Sequence, residues 1–422
     1  MTSSGETSRG DLLQPASDLE RSGPEQAALT IERPIVQLRH IPALDGVRGL
    51  AVLIVFMFHW GGGTHSSFPP MKLFGAVNRG GWSGVTLFFV LSGFLITGIL
   101  WDSYADPKWW PKFFARRSLR IFPLYYLVFA YLLLRTIPSG TFHQTLARIW
   151  IPAFFLQPFP SLMYESDHIR GSFHLWSIAV EEQFYLFWPF LLFLFRSNRQ
   201  RARALCLTIF LLSEGVRCLI WASANNPPAW LHFLPVQAGA LALGGWLALS
   251  FRGPEWKRIL ELAPWVGLAG VAGFLATGFA AHDFEAEGRA MGLIGLPLVT
   301  LFYAGLLTRA TGSGLVAGFF SIRWLRALGN ISYGFYVFHM LPGDALDAIV
   351  PRYFGVGLKA NLAQFLMAAA FSLVMAILSY NLYEKQFLRL KKYFIPSTHA
   401  SVANIVSRSV SEPPAVLPNV SS

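Results

Sequence analysis

Arg48 and His59 stand eleven positions apart in LDGVRGLAVLIVFMFH, a stretch from Leu44 to His59 that is otherwise mostly apolar. At about 100° and 1.5 Å per residue they return to nearly one helix face, roughly 16 Å apart along the axis, about half the hydrocarbon thickness of a bilayer. One face therefore carries a cation and a base at two depths. Ionisable groups at such depth are expensive, so they normally point into a bundle interior or a wet cavity and mark function. The competing arrangement has Arg48 snorkelling to one headgroup layer and His59 resting at the other interface.

Other residues extend the pattern. Arg117 and Arg120 lie one helical turn apart beside Arg116, spaced to converge on a single anion, either as a phosphate clamp or as a topology-setting anchor. Glu181 and Glu182 follow His174, Leu175 and Trp176 at the entry of an apolar run. Adjacent helix positions point about 100° apart, so at most one of these carboxylates is expected to face His59. Trp176 offers a sugar-stacking platform or an interfacial belt residue, and His339 lies inside an expected span as a packed imidazole or a site residue. Asp45, one turn before Arg48, offers it a salt bridge.

These residues need a scaffold, and composition names it. Of 422 residues, 54% are hydrophobic and 14% charged, too little polar surface for a soluble globule, where about a quarter of residues are charged. The long unbroken apolar runs lack the alternation of lipid-facing strands, which points to an all-α polytopic membrane protein. The net charge of +11 sits in short loops between apolar runs, so it signals topology and not nucleic-acid binding. Cys206 and Cys218 share one expected helix too far apart to bridge, and the histidines show no paired metal-ligand spacing, so neither disulfide nor metal is expected.

Residues 1–40 and 395–422 read as disordered cytoplasmic tails around a membrane domain over 41–394. Ten spans are expected, near 44–59, 82–101, 121–134, 176–195, 203–222, 231–250, 262–281, 290–309, 331–350 and 362–383. The stretch from Gly61 to Arg79 reads as a loop, and 141–172, broken by Pro152, Pro158 and Pro160, as an external re-entrant or interfacial piece. With both termini cytoplasmic, the basic clusters fall inside and the acidic loop HDFEAEG outside. This orients Arg48, Arg117 and Arg120 to the inner level, and His59, His174, Glu181 and Glu182 to the outer. Ser92 and Gly93 form a small patch where another helix can pack closely.

In order and spacing, DGVRGLAVLIVFMFHW, FFVLSGFLIT, FFARRSLRIFPLYY, FHLWSIAVEEQFYLFWP, LGNISYGFYVFH and SYNLYEKQF resemble the acyltransferase-3 family of membrane acyltransferases over about Ile41 to Phe387. The resemblance implies an integral enzyme of a bacterial-type inner membrane that moves an acyl group, commonly acetyl, from cytoplasmic acyl-CoA to a hydroxyl of a carbohydrate or glycosylated acceptor. It implies that Arg48 and His59 are the essential pair and that Arg117 and Arg120 contact the acyl-CoA. No permanently bound cofactor is expected. Many relatives add an extracytoplasmic hydrolase-like domain, which is not expected here, and Glu384-Lys385-Gln386 departs from the usual Glu-x-Pro.

The residues suit this chemistry independently. Transfer from a thioester to an alcohol needs a base, and His59 is the candidate, with covalent acyl transfer through it as the less economical route. Arg48 is placed to position the donor or to stabilise the tetrahedral intermediate. Trp176, His174 and His339 are candidates for the acceptor side. A secondary transporter is the competing class, also built from many helices with buried charge.

Overall fold

The computed structural model describes residues 40–62, 69–162, 171–224 and 230–394. The expected tails, 1–40 and 395–422, lie outside the described residues, His40 excepted. All regular structure among the described residues is helical, as an apolar environment requires of a backbone that must satisfy its own hydrogen bonds. The principal helices are α1 Pro42–Trp60, α2 Ser83–Ser103, α3 Trp109–Leu134, α4 Trp176–Phe193, α5 Arg199–Ser223, α6 Leu234–Ser250, α7 Trp256–Ala281, α8 Leu296–Ala310, α9 Ser332–Phe338 and α10 Leu358–Ser379. Among the described residues, 7 helices are long and apolar enough to cross a membrane, and Leu234–Ser250 is a shorter apolar helix.

Small residues set the closest packing. A side-chain carbon on Gly46 would fall 1.9 Å from the Phe320 carbonyl oxygen, and one on Gly49 2.2 Å from that of Leu325. The two glycines, one turn apart, let α1 lie against the backbone of 320–329, as small residues do between membrane helices. Gly93 on α2 is equally tight against α6, 1.8 Å from the Leu241 oxygen. Of the Ser92/Gly93 patch read from the sequence, Gly93 thus meets α6, while Ser92 donates to Glu181 on α4. Trp188 Nε1 donates to Thr97 Oγ1 at 2.9 Å, tying α4 to α2. Tyr333 donates to the Ile121 carbonyl at 2.7 Å, tying α9 to α3.

Three stretches differ from expectation. The span expected over 331–350 is two helices, α9 and Gly343–Phe354, meeting at a turn. Pro342 supplies the reason, because it lacks an N–H and disfavours the α conformation in the residue before it. The Gly/Pro-rich connection expected as a loop contains a helix over Pro69–Asn78, and its paired prolines suit a first turn whose N–H groups have no partner anyway. Helix α3 begins at Trp109, so Arg116, Arg117 and Arg120 are helical residues and not the end of a loop. The Pro-broken segment is irregular as expected, with short helices Phe142–Arg148 and Trp150–Ala153, and 163–170 lies outside the described residues. Cys206 and Cys218 are free thiols on α5.

Candidate active site

The turn after α9 brings His339 to His59. His339 Nε2 lies 3.2 Å from His59 Nδ1, and the ring centroids are 4.9 Å apart. His339 Nδ1 lies 2.5 Å from the Tyr336 carbonyl. A carbonyl only accepts, so Nδ1 carries the proton and Nε2 presents a lone pair. His59 Nδ1 lies 2.9 Å from the Val55 carbonyl one turn earlier, so it too carries its proton, directed at Val55 and at His339. The base end of His59 is therefore Nε2. Trp60 Nε1 donates to the His339 carbonyl at 3.0 Å and holds the turn in place.

His174 completes a row of imidazoles, its ring 4.8 Å from that of His339. Its Nε2 donates to the Val337 carbonyl at 3.3 Å, and its Nδ1 is buried without a hydrogen-bond partner among the described residues. Tyr336 donates to the His174 carbonyl at 2.6 Å and shares a 2.7 Å hydrogen bond with Ser177. Among the described residues no group of three His, Cys, Asp or Glu has a metal-holding arrangement.

Three cavities surround these groups. The first, about 240 Å³, is lined by His59, His174, Trp176, Tyr336, Trp82, His232, Glu285 and Glu287 among others. The second, about 150 Å³, is lined by Arg48, Lys112, Arg116, Arg117, Arg120 and Lys391. A third, about 100 Å³, shares Arg48, Arg117 and Arg120 with the second and Tyr336 with the first. The three cavities thus share wall residues from the arginine level to the imidazole level.

The arginine cavity is strongly cationic. Arg48 meets Asp45 at 3.2 Å, and Lys112 meets Asp106 at 2.7 Å. Among the described residues Arg116, Arg117, Arg120 and Lys391 make no ion pair with a carboxylate. Arg117 packs its guanidinium 4.8 Å from the Tyr185 ring centre. Unpaired cations in such a setting favour an anion that supplies the missing partner. Near this level the chain after α10 makes a π-helical turn over Tyr380–Glu384, where Glu384 accepts from Ser379 at 2.9 Å within electrostatic reach of Arg120.

The expected carboxylate beside His59 is absent from its cavity. Glu181 lines the cavity shared with Arg48 and Arg117, where its two oxygens accept from Ser92 at 2.7 Å and Tyr185 at 2.8 Å. Glu182 lines none of the three cavities, and its Oε1 is buried without a hydrogen-bond partner among the described residues. Five residues of helix from Trp176 carry the chain roughly 7.5 Å towards the arginines, where a desolvated carboxylate finds countercharge. His339 is likewise not a cavity-wall residue but stands behind His59. His174 and Trp176 do line the first cavity, Trp176 with its ring 4.2 Å from that of His232.

Sequence reasoning missed Tyr336, His232 and Lys391. Tyr336 sits three residues before His339, a spacing that places both on one helix face. Lys391 was visible only as part of a basic run, and His232 carried no local signal.

A family model described as an acyltransferase domain matches residues 41–381. The peptidoglycan O-acetyltransferase OatA of Listeria monocytogenes is 28% identical over 331 residues, covering 71% of this chain and 49% of that protein. The O-acetyltransferase OatA of Staphylococcus aureus is 27% identical over 318 residues, covering 71% of this chain and 50% of that protein. The chain thus spans about half the length of these curated relatives. No solved structure matches.

Proposed function

The chain belongs to the acyltransferase-3 family of integral membrane acyltransferases, and from that premise we propose that it moves an acetyl group from acyl-CoA to a carbohydrate hydroxyl inside the bilayer. The observation that carries this reading is the set of three cavities with shared wall residues, from the unpaired arginines to the cavity that His59 lines. The phosphates of CoA bind Arg116, Arg117, Arg120 and Lys391, as forks where arginine permits. The pantetheine arm extends past Arg48 and Glu181 towards Tyr336. The acceptor occupies the cavity of His59, His174 and Trp176. The names of these two relatives, both O-acetyltransferases and one of them of peptidoglycan, support a carbohydrate acceptor.

In the reaction, His59 Nε2 takes the acceptor hydroxyl proton as the oxygen attacks the thioester carbonyl carbon. The imidazolium so formed keeps its Nδ1 proton shared between the Val55 carbonyl and His339 Nε2. Arg48, which lines the two inner cavities and meets Asp45, positions the donor below the reacting carbonyl. The carbon–sulfur bond then breaks, and the proton held by His59 passes to the leaving thiolate. The ester remains on the sugar and free CoA leaves by the arginine cavity.

The topology proposed with this reading has ten crossings, both termini cytoplasmic, the arginine cavity open to the cytoplasm and the membrane a bacterial-type inner membrane. Basic clusters in the loops support that orientation. The test uses the purified full chain in nanodiscs with radiolabelled acetyl-CoA and a panel of sugars. Label on a sugar that disappears in His59→Ala supports the reading. Label that never reaches a sugar, with acceptor crossing the membrane unchanged, overturns it in favour of transport.

A further inference from the structure

The two ends of the cavity system carry opposite charge rules. The inner cavity is lined by six cations and by no carboxylate, whereas the outer one has no lysine or arginine among its lining residues and two carboxylates, Glu285 and Glu287, on its wall. Both glutamates are exposed, on the loop that follows Asp283, so they meet an arriving ligand before the imidazoles do. Deeper in, His174 is 4% exposed, and its Nδ1 has no hydrogen-bond partner among the described residues. With its Nε2 proton given to the Val337 carbonyl, that Nδ1 is a lone pair awaiting a donor.

These groups share one chemistry, acceptance of hydrogen bonds. A ligand with several O–H or N–H donors satisfies them, while a carboxylate or phosphate on the ligand meets two like charges and no lysine or arginine among the lining residues. Trp82 and Trp176 add flat apolar walls suited to the face of a sugar ring. A volume of about 240 Å³ is below the roughly 300–1,000 Å³ of drug-sized sites, so one ring enters and the rest of a larger acceptor stays outside.

Building on the acyltransferase reading, we propose that the outer cavity selects acceptors by charge: it takes a sugar ring that is uncharged or cationic where it enters, and excludes rings bearing a carboxylate or phosphate. Glu285 and Glu287 set the exclusion. The same asymmetry confines the anionic donor to the other end.

The test is equilibrium binding of methyl glucoside, glucosamine and glucuronate to the full chain in nanodiscs, without acyl donor. The expected result is binding of the first two and at least about tenfold weaker binding of glucuronate. The double variant Glu285→Gln, Glu287→Gln is expected to remove most of that difference, and high salt to narrow it in the parent chain only. Equal binding of all three sugars, no binding of any, or an unchanged preference in the double variant overturns the proposal. Binding is read separately from turnover, so sugar selectivity in a chain that transfers no label would sink the acyltransferase reading alone.

Discussion

His339 Nε2 stands 3.2 Å from His59 Nδ1 although 280 positions of sequence separate the two residues. The contact pins the protonated nitrogen of His59 away from the cavity and turns the basic one into it. Replacing His339 by Ala is therefore expected to lower kcat by roughly tenfold to a hundredfold with little change in donor KM. His59→Ala should lose the larger factor of about 10²–10⁴ that a general base contributes. Single-turnover acetyl transfer measures both, and equal loss of donor binding in His339→Ala would remove the positioning role.

Arg117 and Arg120 act on the other cavity. Truncating either to Ala is expected to weaken CoA binding by about tenfold or more, the size of a lost charged hydrogen bond. Lysine should restore only part of it, because an ammonium cannot reproduce the two-pronged contact. Titration of CoA at two salt concentrations checks this, and full rescue by Arg117→Lys would argue for a diffuse field instead of a fork.

Glu181 lies on the arginine side, its oxygens held by Ser92 and Tyr185. Glu181→Ala would leave the Ser92 and Tyr185 hydroxyls without their acceptor, and a cost of about 1–3 kcal/mol is expected for buried donors left unpaired. A lowered melting temperature in detergent is the signature. An unchanged melting temperature would show that the two hydroxyls find another acceptor.

Gly93 has no room for a larger side chain against α6. Gly93→Val should separate α2 from α6 and destabilise the bundle by at least about 1–3 kcal/mol, the range for overpacking. Gly215, which lies on α5 with nothing within 4 Å of an added carbon, serves as the control for steric crowding. Comparable thermal stability of Gly93→Val and the parent chain would contradict the packing described here.

His232, in the turn before α6, is held by burial at a pKa of about 4, down from 6.5. Its folded-state value is depressed, so between those two values the unfolded chain binds a proton that the folded chain refuses. Its neutral form supports the fold fully above pH 6.5, and stability declines as pH falls towards 4. Melting temperatures at pH 7.5 and 4.5 should therefore diverge more in the parent chain than in His232→Asn. Parallel slopes would show that another group governs the acid limb.

The membrane class, the helical architecture, the Arg48/His59 face and the Arg117/Arg120 turn were legible in the sequence because each rests on local periodicity and on the cost of charge in lipid. Family motifs pointed to the chemistry for the same reason: they are short and contiguous. Three assignments needed the tertiary structure. His339 looked like a substrate contact, but the break at Pro342 sets it behind His59. Glu181 and Glu182 looked like outer-level groups, but helical rise carries Glu181 down to the arginines and turns Glu182 away from all three cavities. Lys391 joins the arginine cavity from the far end of the chain. Each of these depends on which helix lies against which, and that is decided by the packing of Gly46, Gly49 and Gly93 against distant backbone, to which no spacing within a single segment gives access.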